Sequence, residues 1–322
     1  MAAPMFMVTN RGRSKDDLTD KLVDTLSYFK IDEKQEELSR LQNWTELSGK
    51  EFEKELMALA AQFPLLPDDQ NSKQKHLSLF VHGYNNTWDE SAQRCAGLKR
   101  DLFDKVDLGV PILFSWPSNG SVAGYLPDRE DARDSGPHAA DLFVRLYDIA
   151  LAQQRLAAQT QDPNKFCRAK ISVIAHSMGA FVVQKGLKIA AERLNSPQLM
   201  TLVHQLALVA SDIDNDVFQK NQSNEADGSL MANLCYRIGA LYTGLDETLG
   251  ASAGLKHSGK RRLGRSGLAD RGNVWDNVFD IDVTDFIVKK DIHSAVFKSP
   301  KAIDLLEKIL RGVDRGHLAG VP

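Results

Sequence analysis

The sequence predicts an α/β fold with a mostly parallel central sheet and helices on both of its faces. From residue 76 onward, short apolar runs alternate with longer segments of helical periodicity, as in parallel sheets that are buried on both faces. A serine in Ala175-His-Ser-Met-Gly179 lies where one such apolar run passes into a helical pattern. Residues 14–75 have a different pattern, which predicts a helical insertion before the main sheet.

The N-terminal region begins with a predicted strand over Met5–Thr9. Apolar residues then recur at helical spacing between residues 15 and 63, in one group from Leu18 to Phe29 and a second from Phe52 to Phe63. We therefore expect two or three amphipathic helices in this region. They pack either on the flank of the core, which is the simpler interpretation, or over the functional site as a cap.

The alternating region predicts six strands and four helices. The strands are expected at 76–81, 110–116, 170–175, 203–210, 235–243 and 274–283, and the helices at 87–103, 137–157, 180–194 and 301–310. Ala251–Gly272, rich in Gly, Ser, Lys and Arg, is the clearest predicted loop and is long enough to be mobile or functional. Ligands of such sheets bind at the carboxyl ends of the strands.

Length and composition are ordinary for a soluble globular protein, and we expect a single domain over residues 1–322. The hydrophobic fraction is 43%, the charged fraction is 26% and the formal net charge is −3, which does not favour nucleic acid as a partner. Residues 1–11 lack the basic and apolar regions typical of a secretory signal, and no run is long and uncharged enough to span a bilayer, so we expect neither feature. Three scattered cysteines indicate a reducing compartment, so we expect a cytoplasmic protein of unknown oligomeric state.

Ser177 lies between a predicted strand and a predicted helix, the order that a nucleophile elbow requires. Ile171, Val173 and Ile174 supply the β-branched strand before it. The backbone of the serine in such a turn is strained, so the residues two positions away on either side must be small. Ala175 and Gly179 meet this requirement. The pattern therefore predicts Ser177 as a nucleophile.

A serine nucleophile needs a histidine as its base, and four of the eight histidines follow Ser177 in the chain. His204 precedes a predicted strand and therefore belongs to the opposite end of the sheet, while His257 lies in the basic loop and His317 in the C-terminal tail. His293 follows the last predicted strand and precedes the last helix, where the base of this arrangement is expected.

The acid that orients the histidine has three candidates at the ends of two neighbouring strands. Asp246 follows the strand that ends at Thr243, and Asp212 and Asp214 follow the preceding strand. Each group also precedes a possible helix, so each could instead supply a helix cap. We prefer Asp246 as the acid, with Asp212 or Asp214 as the cap, and the alternative assignment stays open.

Two backbone amides are needed to stabilise the oxyanion that forms when a serine attacks a carbonyl. The first is expected from Met178, the residue after the nucleophile. The second is expected from Tyr84, in the loop His82-Gly-Tyr-Asn-Asn86 after the first strand of the alternating region. Gly83 lets this loop turn and approach a ligand closely.

Several of these segments together resemble one branch of the α/β-hydrolase superfamily, the bacterial hydrolases grouped as DUF900. The similar segments are Phe80–Thr87, Phe114–Gly120, Ala175–Gly179, Tyr125–Glu130, Ser211–Asp214, Tyr242–Leu249, Arg262–Gly264 and Val8–Arg11. The resemblance covers most of residues 76–297. It implies the assignment of Ser177, Asp246 and His293 as a catalytic triad and hydrolysis of a carboxylic ester.

The remaining predictions concern the ligand. Trp116 and Tyr125 lie in the loop after the strand at 110–116, so they either line a substrate pocket, as predicted also for His176, or pack the loop onto the core. The basic run Lys256–Arg265 either binds an anionic group or, as is more usual, is a solvated face.

We expect a small-molecule ester or acyl compound as substrate and neither a metal nor an organic cofactor. A thioesterase, an amidase or a lipase with the same residues is the alternative enzyme, and a non-catalytic binding module is the alternative outside enzymology.

Overall fold

A nine-stranded sheet forms the centre of the protein in a computed structural model that describes residues 4–32, 37–63, 73–120, 124–162, 169–194, 201–221, 225–288 and 290–318. The strands are β1 (Met5–Ser14), β2 (Asp17–Ile31), β3 (Thr45–Leu47), β4 (His76–Val81), β5 (Gly109–Ser115), β6 (Lys170–His176), β7 (Val203–Val209), β8 (Cys235–Tyr242) and β9 (Val278–Asp282). The spatial order is β3-β2-β1-β5-β4-β6-β7-β8-β9. The pairs of β2 with β1 and with β3 are antiparallel and the other six pairs of this sheet are parallel, so the predicted mostly parallel sheet is confirmed.

Helices cover both faces of the sheet. They are α1 (Gly49–Ala61), α2 (Trp88–Leu98), α3 (Tyr125–Asp134), α4 (Gly136–Thr160), α5 (Gly179–Leu194), α6 (Glu225–Leu234), α7 (Glu247–Ala251), α8 (Leu263–Ser266) and α9 (Pro300–Leu310). Side chains alternate along each strand, so Leu79 packs with α1, α4 and α5 on one face while its neighbour Phe80 packs with α2 and α9 on the other. This double burial explains the continuous apolar runs in the sequence.

The prediction of helices throughout residues 14–75 is wrong for the first group of apolar residues, which forms the long strand β2. The pairing of β1 with β2 shifts register between Thr9 and Arg11 and again between Arg11 and Arg13, and β2 carries the extra residues. Such bulges interrupt the two-residue alternation of a strand. The apolar residues of β2 therefore resembled a helical pattern.

The second group forms the predicted helix, α1. Ser48 accepts a hydrogen bond from the Glu51 amide, and the Glu51 carboxylate accepts one from the Ser48 amide, so a capping box begins the helix. Its buried residues Phe52 and Leu56 join the core beside β1 and β5. The helix therefore packs on the flank of the sheet, next to β2 and β3.

The predicted loop Ala251–Gly272 contains a π-helical turn at Ser252–Lys256 and the short helix α8, and its Arg262 is fully buried, so it is not an open loop. Of the three cysteines, Cys95 and Cys235 are buried free thiols, and Cys167 lies outside the described residues.

Candidate active site

Ser177 occupies the sharp turn between β6 and α5, with a positive φ of 52°. Its amide donates to the Val209 carbonyl at 3.0 Å, and its carbonyl accepts from the Asp212 amide at 3.0 Å. Both partners lie at the end of the neighbouring strand β7 or just beyond it. A serine backbone in the left-handed region of φ and ψ is strained, and these two hydrogen bonds to the next strand hold Ser177 in that conformation.

Gly179 is required because α5 begins against the backbone of β4. A Cβ atom at this position would lie 2.4 Å from the His82 carbonyl oxygen and 2.5 Å from that of Val81. Any side chain would therefore push the helix away from the sheet and move the turn that carries Ser177. The small residue expected two positions after the serine is explained by this contact.

His293 lies next to the serine, in the 3₁₀ helix Ile292–Lys298 that follows β9. Its Nε2 atom is 2.8 Å from Ser177 Oγ, and its Nδ1 atom is 2.8 Å from Asp246 Oδ2. Since an ionised carboxylate only accepts hydrogen bonds, the imidazole proton belongs on Nδ1. Nε2 is then free to accept the proton of the serine hydroxyl, the geometry of an activated nucleophile.

Asp246 combines two roles that the sequence suggested for different residues. Its Oδ1 atom accepts from the Leu249 amide at 3.0 Å and so caps α7, while Oδ2 faces His293. The carboxyl is fully buried, and the cap fixes which oxygen points at the histidine. The preferred candidate for the acid is thus the one that the fold brings to His293.

Asp212 and Asp214 bind arginines instead of His293, and neither caps one of the described helices. Asp212 Oδ1 accepts from Arg262 Nε at 2.7 Å and Oδ2 accepts from the Tyr125 hydroxyl at 2.6 Å. Asp214 also accepts from Arg262. The basic run contributes Arg262 to this buried ion pair, so for that residue the expectation of a solvated face is wrong.

The loop after β4 lies directly against the nucleophile. A Cβ atom on Gly83 would lie 2.8 Å from Ser177 Cβ and 2.9 Å from His176 Nδ1, so glycine is required there. The next residue is Tyr84, and Met178 follows the serine on the other side. Gly83 and Ser177 are in contact, and each is followed in the chain by a residue that is predicted to donate its amide to an oxyanion.

Two buried charged residues, Arg11 and Asp128, hold this loop, and neither was predicted as a functional residue from the sequence. Arg11, in β1, donates from Nη2 to the Asn86 carbonyl at 3.0 Å, and Asn86 donates from Nδ2 to the Gly83 and Tyr84 carbonyls. Asp128, in α3, accepts from the Asn85 amide at 3.2 Å. Both residues lie in segments that resembled DUF900, and that was the available signal. Burial lowers the pKa of Arg11 to about 10, so the guanidinium stays charged at neutral pH.

His176 joins the loop of His293 to α2. Its Nε2 atom donates to the His293 carbonyl at 3.0 Å, since a carbonyl can only accept, and Arg94 Nη1 lies 3.5 Å from its Nδ1 atom. Burial is the largest cause that lowers the pKa of His176 well below its ordinary value, and the charge of Arg94 acts in the same direction. His176 is therefore a neutral buried imidazole whose two nitrogens both have partners.

Trp116 and Tyr125, predicted to line the substrate pocket or to pack their loop, take the packing role. Trp116 is fully buried, stacks on His82 with ring centroids 5.1 Å apart, and donates from Nε1 to the His82 carbonyl at 2.8 Å. The prediction of a substrate contact is wrong for Trp116, because none of its surface is accessible. Tyr125 is also buried, with its hydroxyl bound to Asp212 and close to His257.

A cavity of about 660 Å³ opens beside His293, between the loop after β4, helix α2 and the segment that carries His293. Its walls include Tyr84, Glu90, Arg94, His176, His293 and Phe297. None of the described residues between 15 and 63 lines this cavity, which agrees with the position of α1 on the flank. The volume suits a small organic molecule.

In the part of the chain that the structure describes, His, Cys, Asp and Glu side chains form no group of three or more that could hold a metal ion. The same residues include no helix that is long and apolar enough to cross a membrane.

Comparison with known proteins identifies the type of fold around this site. Residues 60–311 match the model of a family described as "Alpha/beta hydrolase of unknown function (DUF900)". The chain is 24% identical over 239 residues to the uncharacterized protein alr1448 of Nostoc sp. (strain PCC 7120). That similarity covers 67% of this chain and 55% of the relative, so the chain spans little more than half of the relative's length. No solved structure matches the chain significantly.

Proposed function

The chain belongs to the α/β hydrolase family DUF900, and we propose that it is a serine hydrolase that cleaves carboxylic esters. The observation that carries this proposal is the hydrogen-bonded series from Asp246 through His293 to Ser177, with two contacts of 2.8 Å each. A series of this kind gives the serine a base and gives the base a fixed tautomer.

In the first half of the reaction, Ser177 Oγ attacks the ester carbonyl carbon and its proton passes to His293 Nε2. The carbonyl oxygen takes the negative charge, and the amides of Met178 and Tyr84 donate to it. The charge of the imidazolium is balanced by Asp246. When the tetrahedral intermediate collapses, the bond to the alcohol oxygen breaks, and His293 returns the proton to that oxygen.

In the second half, water replaces the alcohol. His293 Nε2 takes one proton from the water as its oxygen attacks the acyl-enzyme, and the same two amides again stabilise the oxyanion. Collapse of this second intermediate breaks the bond to Ser177 Oγ, which recovers its proton from His293. The products are a carboxylic acid and an alcohol.

Labelling with a fluorophosphonate tests the proposal, because such probes react with an activated serine and not with an ordinary hydroxyl. We expect one adduct on the native protein by intact mass, located on Ser177 by peptide mapping and absent after Ser177→Ala. A panel of matched ester, thioester and amide substrates then identifies the bond that is cleaved. Folded protein that stays unlabelled, in conditions that label trypsin, would contradict the proposal.

A further prediction concerns the loop that meets the nucleophile. Gly83→Ala is expected to slow both fluorophosphonate labelling and ester hydrolysis by roughly ten- to a hundredfold, because its Cβ would lie 2.8 Å from Ser177 Cβ and displace either the loop or the serine. Stopped-flow labelling rates would measure this. Gly254→Ala is the matched control, since a Cβ there meets nothing within 4 Å, and its rate should equal that of wild type.

A further inference from the structure

Arg94 is a cation in the wall of the cavity beside His293, and no carboxylate among the described residues forms an ion pair with it. Its Nη1 atom donates to Ser294 Oγ at 3.1 Å and lies 3.5 Å from His176 Nδ1, while its guanidinium carbon is 5.8 Å from the centre of the Phe297 ring. Ser294 and His176 are the chain neighbours of His293 and Ser177. The Arg94 guanidinium therefore contacts residues that are adjacent in sequence to Ser177 and His293, the two side chains proposed to react.

The two acids whose charges act on Arg94, Asp291 and Glu90, accept hydrogen bonds from other residues. Glu90 accepts from the Thr87 amide at 2.9 Å in the capping box of α2, and Asp291 accepts from Lys298 at 2.5 Å. Within the described residues, neither these nor any other carboxylate comes within 4.0 Å of an Arg94 nitrogen as an ion pair. By contrast, Arg100 and Lys298 in the same wall are each paired with an aspartate.

A half-buried guanidinium without a carboxylate partner destabilises the ligand-free protein, because its desolvation is not compensated by an ion pair. Arg94 is half-buried, and its burial lowers its pKa below the ordinary value, with Asp291 and Glu90 acting weakly in the opposite direction. Buried charges in proteins are normally paired, because desolvation is not repaid otherwise. A guanidinium offers a planar fork that matches a carboxylate, so an anionic ligand in the cavity would supply the missing partner.

We propose that Arg94 binds a carboxylate carried by the substrate, so that the enzyme prefers esters with a free acidic group over neutral esters of the same size. This inference rests on the proposed ester hydrolysis and specifies its substrate class. The acidic group lies on the acyl chain or on the alcohol, and it pairs with Arg94 while the ester carbonyl lies at Ser177 Oγ.

Matched substrates test this preference. In the acyl series, mono(para-nitrophenyl) adipate replaces the terminal methyl of para-nitrophenyl hexanoate by a carboxylate. In the alcohol series, meta-carboxyphenyl butyrate is compared with its neutral carboxamide. We expect wild type to favour the acidic member of at least one pair. Arg94→Gln should lower kcat/KM for that member by roughly ten- to a hundredfold and for its neutral partner by less than about threefold.

Two further variants separate recognition from simple structural support. Arg94→Lys keeps the charge and should retain part of the preference, and high salt should reduce the preference of wild type. Arg193→Gln removes the same charge from an exposed ion pair with Asp141 outside this cavity and should leave the preference unchanged. Equal losses on acidic and neutral esters in Arg94→Gln would mean that Arg94 only supports His176 and Ser294, and would overturn the inference.

A binding measurement keeps this inference distinct from the proposed function. Monomethyl adipate, which carries one free carboxylate, and methyl hexanoate, which carries none, are titrated calorimetrically into the Ser177→Ala protein and into the Ser177→Ala/Arg94→Gln double variant. Tighter binding of monomethyl adipate that is lost in the double variant supports the acidic subsite even if no ester is hydrolysed. Hydrolysis of both members of each pair at equal rates, with no Arg94-dependent binding of monomethyl adipate, would contradict the subsite and leave the hydrolase proposal standing.

Discussion

Alanine at Ser177 or at His293 is expected to lower kcat/KM for a short-chain aryl ester by about 10⁶-fold. The two side chains act as one unit, since His293 Nε2 is 2.8 Å from Ser177 Oγ and takes its proton. The double variant should therefore be no slower than either single variant. Steady-state kinetics of the three proteins measures this, with circular dichroism as the control for folding.

The acid of the same unit can be tested against its alternative. In Asp246→Asn, the amide oxygen remains as the acceptor for the Leu249 amide, so the side-chain nitrogen faces His293 Nδ1. The histidine is then forced into the tautomer that carries its proton on Nε2, and kcat/KM should fall by about 10⁴-fold. Asp214→Asn removes the negative charge of one partner of Arg262 and should leave the rate within about threefold of wild type. A larger loss from Asp214→Asn than from Asp246→Asn would exclude Asp246 as the acid.

Loss of Arg262, the buried arginine that pairs with Asp212, is expected to give the largest change in stability. Arg262 is fully buried, and its guanidinium contacts both Asp212 and Asp214. Arg262→Met would leave the Asp212 carboxylate buried with Arg129, 3.7 Å away, as its one remaining ion-pair partner among the described residues. The free energy of unfolding should fall by about 3 kcal/mol or more. Urea denaturation at pH 7 measures it.

The pH dependence of this destabilisation follows from the pKa of Asp212. Burial acts to raise that pKa, but Arg262 and Arg129 outweigh burial and hold it below its ordinary value. Wild type therefore has this stabilisation in full above the unfolded-state pKa and loses it as the pH falls through the folded-state pKa. In Arg262→Met the carboxyl can instead take up a proton, so the difference in stability between the two proteins should shrink as the pH falls from 7 toward 4.

Two controls define what the Arg262 experiment reports. Arg133→Met removes an exposed partner of Glu130 on α3 and should cost at most about 1 kcal/mol. In Arg262→Met/Asp212→Asn no charge remains at position 212, so the double variant should recover part of the lost stability. If Arg262→Met were no more destabilising than Arg133→Met, a large contribution of the Arg262–Asp212 ion pair to the free energy of unfolding would be excluded.

The parallel sheet could be predicted because its signal is local. Strands buried on both faces need continuous apolar runs, and the helices between them need apolar stripes, so the alternation from residue 76 onward is visible in the chain itself. The same logic failed for β2. The bulged strand β2, which lies between the edge strand β3 and β1, lacks regular alternation, and its pairing with β1 decides its structure.

The nucleophile turn could also be predicted, since Ser177 and its small neighbours are adjacent in sequence. The choice among Asp246, Asp212 and Asp214 could not, because all three follow strands that end at the same edge of the sheet. The distance between residues 246 and 293 depends on the pairing of β8 with β9 and on the course of the loops beyond them. Likewise, an aromatic residue such as Trp116 could line a pocket or pack in the core, and its burial against His82 is visible only in the tertiary structure.

By itself, therefore, the sequence determined the class of fold, the position of Ser177 and the place of His293 after the last strand, because each depends on a local order of strand, turn and helix. Tertiary structure decided which carboxylate faces His293, how Arg11 and Asp128 hold the loop after β4, and that Arg94 lines the cavity without a carboxylate partner among the described residues. These contacts join residues far apart in the chain, and their distances depend on strand pairing and helix packing together.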